Sequence, residues 1–118
     1  MTAPIEFYFD FSSPYGYIAA ERIGALAAKH GRDVRWRPIL LGVVFKTTAM
    51  TALPDIPLKG DYAKRDFARS AGFHGVALQL PAAFPISSVV PSRAFYWQDG
   101  RDATKAKELA LALYRAYF

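Results

Sequence analysis

The stretch "FDFSSPYG", residues 9–16, sets two hydroxyls, a proline and a phenol side by side at Ser12, Ser13, Pro14 and Tyr15. A run of this kind can do one of two things where a strand feeds a helix. Ser13 can act as an N-cap, accepting from a free backbone N–H, with Pro14 in the first helical position, where a missing N–H costs nothing. Alternatively, the helix start can serve as a site. Its free N–H groups and positive dipole end favour an anion, and a thiolate is stabilised at such a place. A serine hydroxyl without a base is a poor nucleophile, but it can donate a hydrogen bond to the sulfur of a bound cofactor. Residue types and spacing leave both readings open.

Few other residues compete for chemistry. The chain has no cysteine, which excludes thiol chemistry by the protein itself, disulfides and cysteine-ligated zinc. His30 reads as a helix C-terminal residue favoured by the dipole, and His74 sits in the turn "GFHG". Neither has carboxylate company at ligand spacing, so no metal site is expected. Glu6 and Asp10 do not form a catalytic pair that the sequence places on one face. Tyr8 and Tyr15 either line a pocket or pack.

The elements that must position this junction follow from periodicity. Ile5, Phe7, Phe9 and Phe11 alternate with Glu6, Tyr8 and Asp10, the period of a strand; the second set is only partly polar, so cover on both faces is expected. Beyond Pro14, Tyr15, Ala19, Ile23 and Leu26 recur at helical spacing, and Gly31 is a natural stop just after Lys29 and His30. "DVRWRP" alternates again and ends at Pro38. Strand, helix and strand make a right-handed βαβ unit with a parallel pair. The remainder differs. "ILLGVVFK" is too short to assign by period, and "TTAMTALPDIPLKG" reads as loop. "DYAKRDFARSAG" is helical with Tyr62, Ala63, Phe67 and Ala71 near one face, and "LPAAFPISSVVP" is irregular. "SRAFYWQDG" and "DATKAKELALALYRAYF" are two further helices, the second capped by Asp102.

With 118 residues the chain supports one modest core, organised as a βαβ half over 1–38 and a mostly helical part over 39–118. An apolar content of 53% argues against disorder. The net charge of +5 suits an anionic small molecule, nucleic acid or an acidic surface. The basic residues are scattered, however, with no run of five, and no aromatic stacking platform accompanies them, so nucleic acid is not expected. "MTAPIEF" carries no secretory pattern, and no uncharged apolar run reaches the roughly 18 residues a membrane span needs. A cytoplasmic protein without membrane contact is the expectation.

"FYFDFSSPYGYIAAERI", "WRPILLGVVFKTT", "IPLKGDYAKRDFAR" and "FPISSVVPSRAFYW" together resemble the 2-hydroxychromene-2-carboxylate isomerase family. That family stands close to the kappa-class glutathione transferases within the DsbA-like thioredoxin superfamily. The resemblance covers nearly the whole chain and is most specific at "FDFSSPY". It implies an α/β fold: a thioredoxin-like βαβ unit with an inserted helical domain, here lacking the C-terminal strands of the family fold. Disulfide oxidoreductase relatives carry Cys-Pro-x-Cys where this chain has Ser13, Pro14, Tyr15 and Gly16, which argues against disulfide chemistry.

The implied activity is a glutathione-dependent isomerisation, in which the thiol adds reversibly to a conjugated substrate, a bond rotates, and the thiol leaves. Ser13 would contact that thiol, with Pro14 beside it. "IPLKG" implies Lys59 near glutathione, and "VVFK" implies Lys46 near the carboxylate of a small anionic aromatic substrate. "FPIS" implies Pro85, Ile86 and Ser87 along the pocket wall. A transferase-type or non-catalytic glutathione-binding protein is the alternative. Two departures stand out. The loop "TTAMTALPD" lacks the asparagine often found after the "FK" lysine. Family chains also continue past a helix like the last one here, into further strands with a cis-proline loop. Either a partner completes the sheet or this chain is the front of a longer protein. The first strand, left as an open edge, and the helical faces carrying Phe95, Tyr96, Trp97 and Leu109 favour a homodimer.

Overall fold

A computed structural model describes residues 2–118. Strand β1 (Ile5–Phe9) leads into helix α1 (Pro14–Lys29), and β2 (Val34–Pro38) returns parallel to β1, with Ile5 opposite Val34 and Phe9 opposite Pro38. Helix α2 (Leu41–Thr48), a 3-10 turn (Leu53–Asp55) and helices α3 (Lys59–Phe73), α4 (Val89–Asp99) and α5 (Ala103–Tyr117) follow. Among the described residues the sheet has two strands, so its stability has to come from helices packed on it.

The ends of α1 are built by local chemistry. Ser13 has extended backbone, and its Oγ accepts from the Gly16 N–H at 3.1 Å. At the other end Gly31 adopts φ +63, while Arg32 N–H bonds Ala27 O and Gly31 N–H bonds Ala28 O. That pair of bonds is the Schellman closure, and the positive φ is what the glycine supplies. Asp102 caps α5 through bonds from the Thr104 and Lys105 N–H groups at 3.0 and 3.1 Å.

The odd face of β1 lies on an aromatic cluster. Phe7 and Phe9 meet Trp36 edge-on, Phe9 meets Phe95 of α4, and Phe11 and Tyr17 meet Tyr114 of α5. Such pairs add about 0.5–1.5 kcal/mol each beyond area burial. One core therefore draws on both the βαβ half and the helical part.

Four expectations are corrected. Tyr15 and Leu26 do not lie on the buried side of α1. Pro14, Tyr17, Ile18, Ala20 and Ala27 do, because small alanines let α1 come close while Tyr15 turns toward α3. Tyr62 is exposed on α3, where Gly60, Ala63, Phe67 and Ala71 are buried. Phe95 is not an uncovered apolar side chain: it is fully buried against Phe9, and Leu109 is half-buried. Tyr96 and Trp97 do remain outside, Tyr96 donating to Pro38 O and Trp97 lying beneath the Arg101 guanidinium. The even face of β1 is likewise open to solvent at Glu6 and Tyr8, with Glu6 paired to Arg35 and Arg37.

A candidate cavity at the start of helix α1

The carboxyl end of β1 and the first residues of α1 open on a cavity of about 520 Å³, the place where open α/β folds bind ligands. Ser12, Ser13, Pro14 and Tyr15 form one side. Leu41, Val43, Phe45 and Lys46 of α2 form another, and Phe84 to Val89 close it. The cavity is mostly apolar. Among the described residues lining it, Lys46 is the one lysine or arginine and Asp10 the one carboxylate. "ILLGVVFK", unassignable by period, contributes a short helix with no buried residue, so its apolar side chains face this cavity or solvent.

Ser13 combines both readings of the sequence. One lone pair of its Oγ is taken by the Gly16 N–H, and among the described residues nothing accepts its proton. The hydroxyl therefore caps the helix and still has a donor to give. Ser12 is set the opposite way, its Oγ–H donating to Asp10 Oδ1 at 2.9 Å. The Tyr15 hydroxyl donates to Asp66 on α3 and its ring packs edge-on against Phe67. Burial first, and the bond to Asp66 second, push this phenol up to about 12.

Six of the residues singled out from the sequence come together here: Ser13, Pro14, Lys46, Pro85, Ile86 and Ser87 all line the cavity. Lys59 does not. It is exposed at the first position of α3. It follows Leu58, whose φ of +66 and ψ of −52 form a γ-turn closed by the Lys59 N–H on Pro57 O at 2.8 Å, a strained conformation for leucine. Gly60 next to it is required by space, since a Cβ there would stand 2.3 Å from Pro54 O.

Sequence reasoning weighed Asp10 only as half of a pair with Glu6 and gave it no role. The side chain is buried, and its carboxylate accepts from Ser12 N–H, Ser12 Oγ–H and, across 31 residues, Leu41 N–H at 2.8 Å. The available signal was its place, directly after the strand and two residues before a serine, where aspartate bonds its own backbone two residues on. A second groove lies beside Tyr17, Val76 and Phe118; of the charged side chains along it Arg115 is paired with Glu21, while Arg22 has no salt-bridge partner among the described residues. Among the described residues no cluster of three or more His, Cys, Asp or Glu gathers, and no helix is long and apolar enough to cross a membrane.

The profile of the DsbA-like thioredoxin domain matches residues 4–118. The chain belongs to this family. Among its relatives, 2-hydroxychromene-2-carboxylate isomerase of Pseudomonas putida is 37% identical over 83 residues, covering 68% of this chain and 40% of that protein. Glutathione S-transferase kappa 2 of Caenorhabditis elegans is 28% identical over 97% of this chain and 53% of its own length. The solved structure of a 2-hydroxychromene-2-carboxylate isomerase superposes with a TM-score of 0.81 at 31% identity, over 97% of this chain and 55% of that one. The chain thus spans about half the length of the relatives it matches. The fold is thioredoxin-like and DsbA-type, with five α-helices and a two-stranded sheet among the described residues, and the related proteins are named as isomerases and glutathione transferases.

Proposed function

We propose that this chain carries the glutathione-binding and substrate-binding side of an isomerase of the 2-hydroxychromene-2-carboxylate type. The observation that carries the proposal is Ser13. Among the described residues its hydroxyl caps α1, keeps its proton free, and opens on an apolar cavity whose one lysine or arginine is Lys46. The residues fit glutathione on that ground. A donor and a helix N-terminus are what a thiolate needs, and Pro14 stands in the first helical position, where its missing N–H breaks no helical bond. When bound, glutathione supplies a sulfur nucleophile that adds reversibly to a conjugated double bond and lets it rotate.

The chain's own residues do the rest. Ser13 donates to the sulfur and holds it at the helix end. Lys46 attracts a carboxylate of a small aromatic substrate, and the wall formed by Pro85, Ile86 and Ser87 keeps water from the reacting face. Lys59 acts from outside the cavity on the anionic ends of glutathione.

Titration calorimetry with reduced glutathione, and then with an S-blocked analogue, tests the proposal. Binding is expected for both, weaker for the analogue. A folded sample that binds neither overturns the site, and absence of isomerase activity in a longer natural form overturns the function. A transferase-type or non-catalytic glutathione-binding protein is the second reading, favoured by the kappa-class relative that matches along nearly the whole chain. Glutathione binding with conjugation but no isomerisation would select it.

A further inference from the structure

The cavity has two walls that differ in how they are held. The α1 wall belongs to the core through Tyr17, Ala20 and Ala27. The α2 wall does not: none of Leu41–Thr48 is buried, and Leu40 at its N-cap makes no side-chain capping bond. A helix of this length is marginal without tertiary support. The side chain joining its start to the rest of the site is Asp10. Its Oδ2 accepts from Leu41 N–H at 2.8 Å, while Oδ1 accepts from the Ser12 N–H at 2.8 Å and the Ser12 hydroxyl at 2.9 Å. This carboxylate is buried, and it sits where negative charge is favourable, at the positive end of α2. It caps α2 from another element and at the same time sets the turn that presents Ser13.

We propose that Asp10 is a positioning residue that fixes the distance between the thiol-holding wall at Ser13 and the substrate-holding wall at Lys46. The inference deepens the reading above and rests on it for the identity of the two ligands. The bond geometry gives the physical reason. A carboxylate accepts at both oxygens, so it can satisfy Leu41 and Ser12 together. An asparagine offers one acceptor and an NH₂ group, so one of the two N–H donors is left facing another donor. Losing either bond costs a charged hydrogen bond in a buried place. An asparagine oxygen serves two donors on the Ser12 side and one on the Leu41 side, so the Leu41 bond is the one lost. The α2 wall is then free to drift relative to α1, and a ligand that touches both walls suffers more than one that touches Ser13 alone.

The test compares the wild-type chain with Asp10→Asn and Ser12→Ala. Amide hydrogen exchange reads the tie without any ligand. Asp10→Asn is expected to speed exchange in residues 41–48 by about tenfold or more while α5 keeps its protection. Ser12→Ala, which leaves the Leu41 bond in place, should not change α2. Calorimetry with glutathione and with an S-aryl conjugate carrying a carboxylate reads the consequence. Asp10→Asn should weaken the conjugate about tenfold and glutathione itself by much less. Unchanged exchange in α2, or equal acceleration in every helix, would overturn the role, as would equal loss for both ligands. Should Asp10→Asn fail to fold, Leu41→Pro removes the same N–H from the other side, at a first helical position that accepts proline, and the same contrast in exchange is required of it. If the wild-type chain binds neither ligand, the functional reading fails while the exchange contrast still decides the role of Asp10.

Discussion

The Tyr114 hydroxyl donates to the main-chain carbonyl of Asp10 at 2.7 Å, joining the last helix to the end of the first strand across 104 residues. The same hydroxyl stands 2.6 Å from where a Cβ on Gly16 would be. The glycine in the first turn of α1 is therefore required by space, and the start of the helix is seated on α5. Tyr114→Phe removes one of two bonds to that carbonyl, since the Ser13 N–H also donates to it, and is expected to cost about 1 kcal/mol in urea unfolding. Gly16→Ala should cost about 1–3 kcal/mol through overpacking. The double variant should cost less than the sum, because the phenylalanine no longer carries the atom that clashes. Strict additivity would mean that the hydroxyl is not what the alanine meets.

Ser13→Ala separates the cap from the site. Loss of an N-cap costs about 1 kcal/mol of stability. Loss of a donor to a thiolate costs about 1.5–3 kcal/mol, roughly 10- to 150-fold in rate or affinity. In an active form, the variant is expected to lose far more isomerase activity than stability. Full activity would reduce Ser13 to a cap.

Lys46 is exposed at the cavity, so its charge acts through screened solvent. Lys46→Met is expected to weaken an anionic aromatic ligand by roughly two- to fivefold, with the difference shrinking at high salt. A neutral analogue of the same shape should bind both forms equally. Equal loss for the neutral analogue would assign Lys46 to packing.

Alkaline pH should unfold the protein through its tyrosines. Burial and the Asp66 bond raise Tyr15 to about 12, and burial first, with the charge of Asp10 second, raises Tyr114 further. A phenol whose folded pKa lies above its unfolded value of about 10 holds its proton longer when folded. Its contribution is complete below pH 10 and is lost as the pH climbs toward and past 12. Urea midpoints measured from pH 9 upward should fall. Tyr15→Phe and Tyr114→Phe should each flatten the fall, and a wild-type curve parallel to that of the double variant would show that other groups, such as lysines, carry it.

Among the described residues β1 hydrogen-bonds to β2 along one edge only. The other edge has no lysine, proline or bulge between Ile5 and Phe9 to discourage pairing. The purified chain is expected to self-associate, with a two-fold dimer as the simplest closed form. Light scattering that returns a monomer at tens of micromolar would show that this edge is protected. An Ile5→Lys or Phe7→Pro change that leaves the mass unaltered would place the contact elsewhere.

What was legible in the sequence was local. The βαβ unit followed from alternating apolar residues and from Ser13, Pro14 and Gly31, whose capping roles depend only on neighbours a few positions away. The resemblance at "FDFSSPY" was equally local, and Ser13, Pro14, Lys46, Pro85, Ile86 and Ser87 do line one cavity. Long-range pairing decided the rest. Ala20 and Ala27 outrank Leu26 on α1 because close helix contact favours small side chains, which a hydrophobic pattern weighs lightly. Phe95 is buried because β1 lies over it, a contact between residues 86 positions apart in "FYFDF" and "SRAFYW". Asp10 looked like an isolated acid because its partner, the Leu41 N–H, is a backbone group 31 residues away, and backbone donors leave no mark in the residue types. A helix cap made from another element, like a hydroxyl filling the space of an absent Cβ, exists only once the chain has folded.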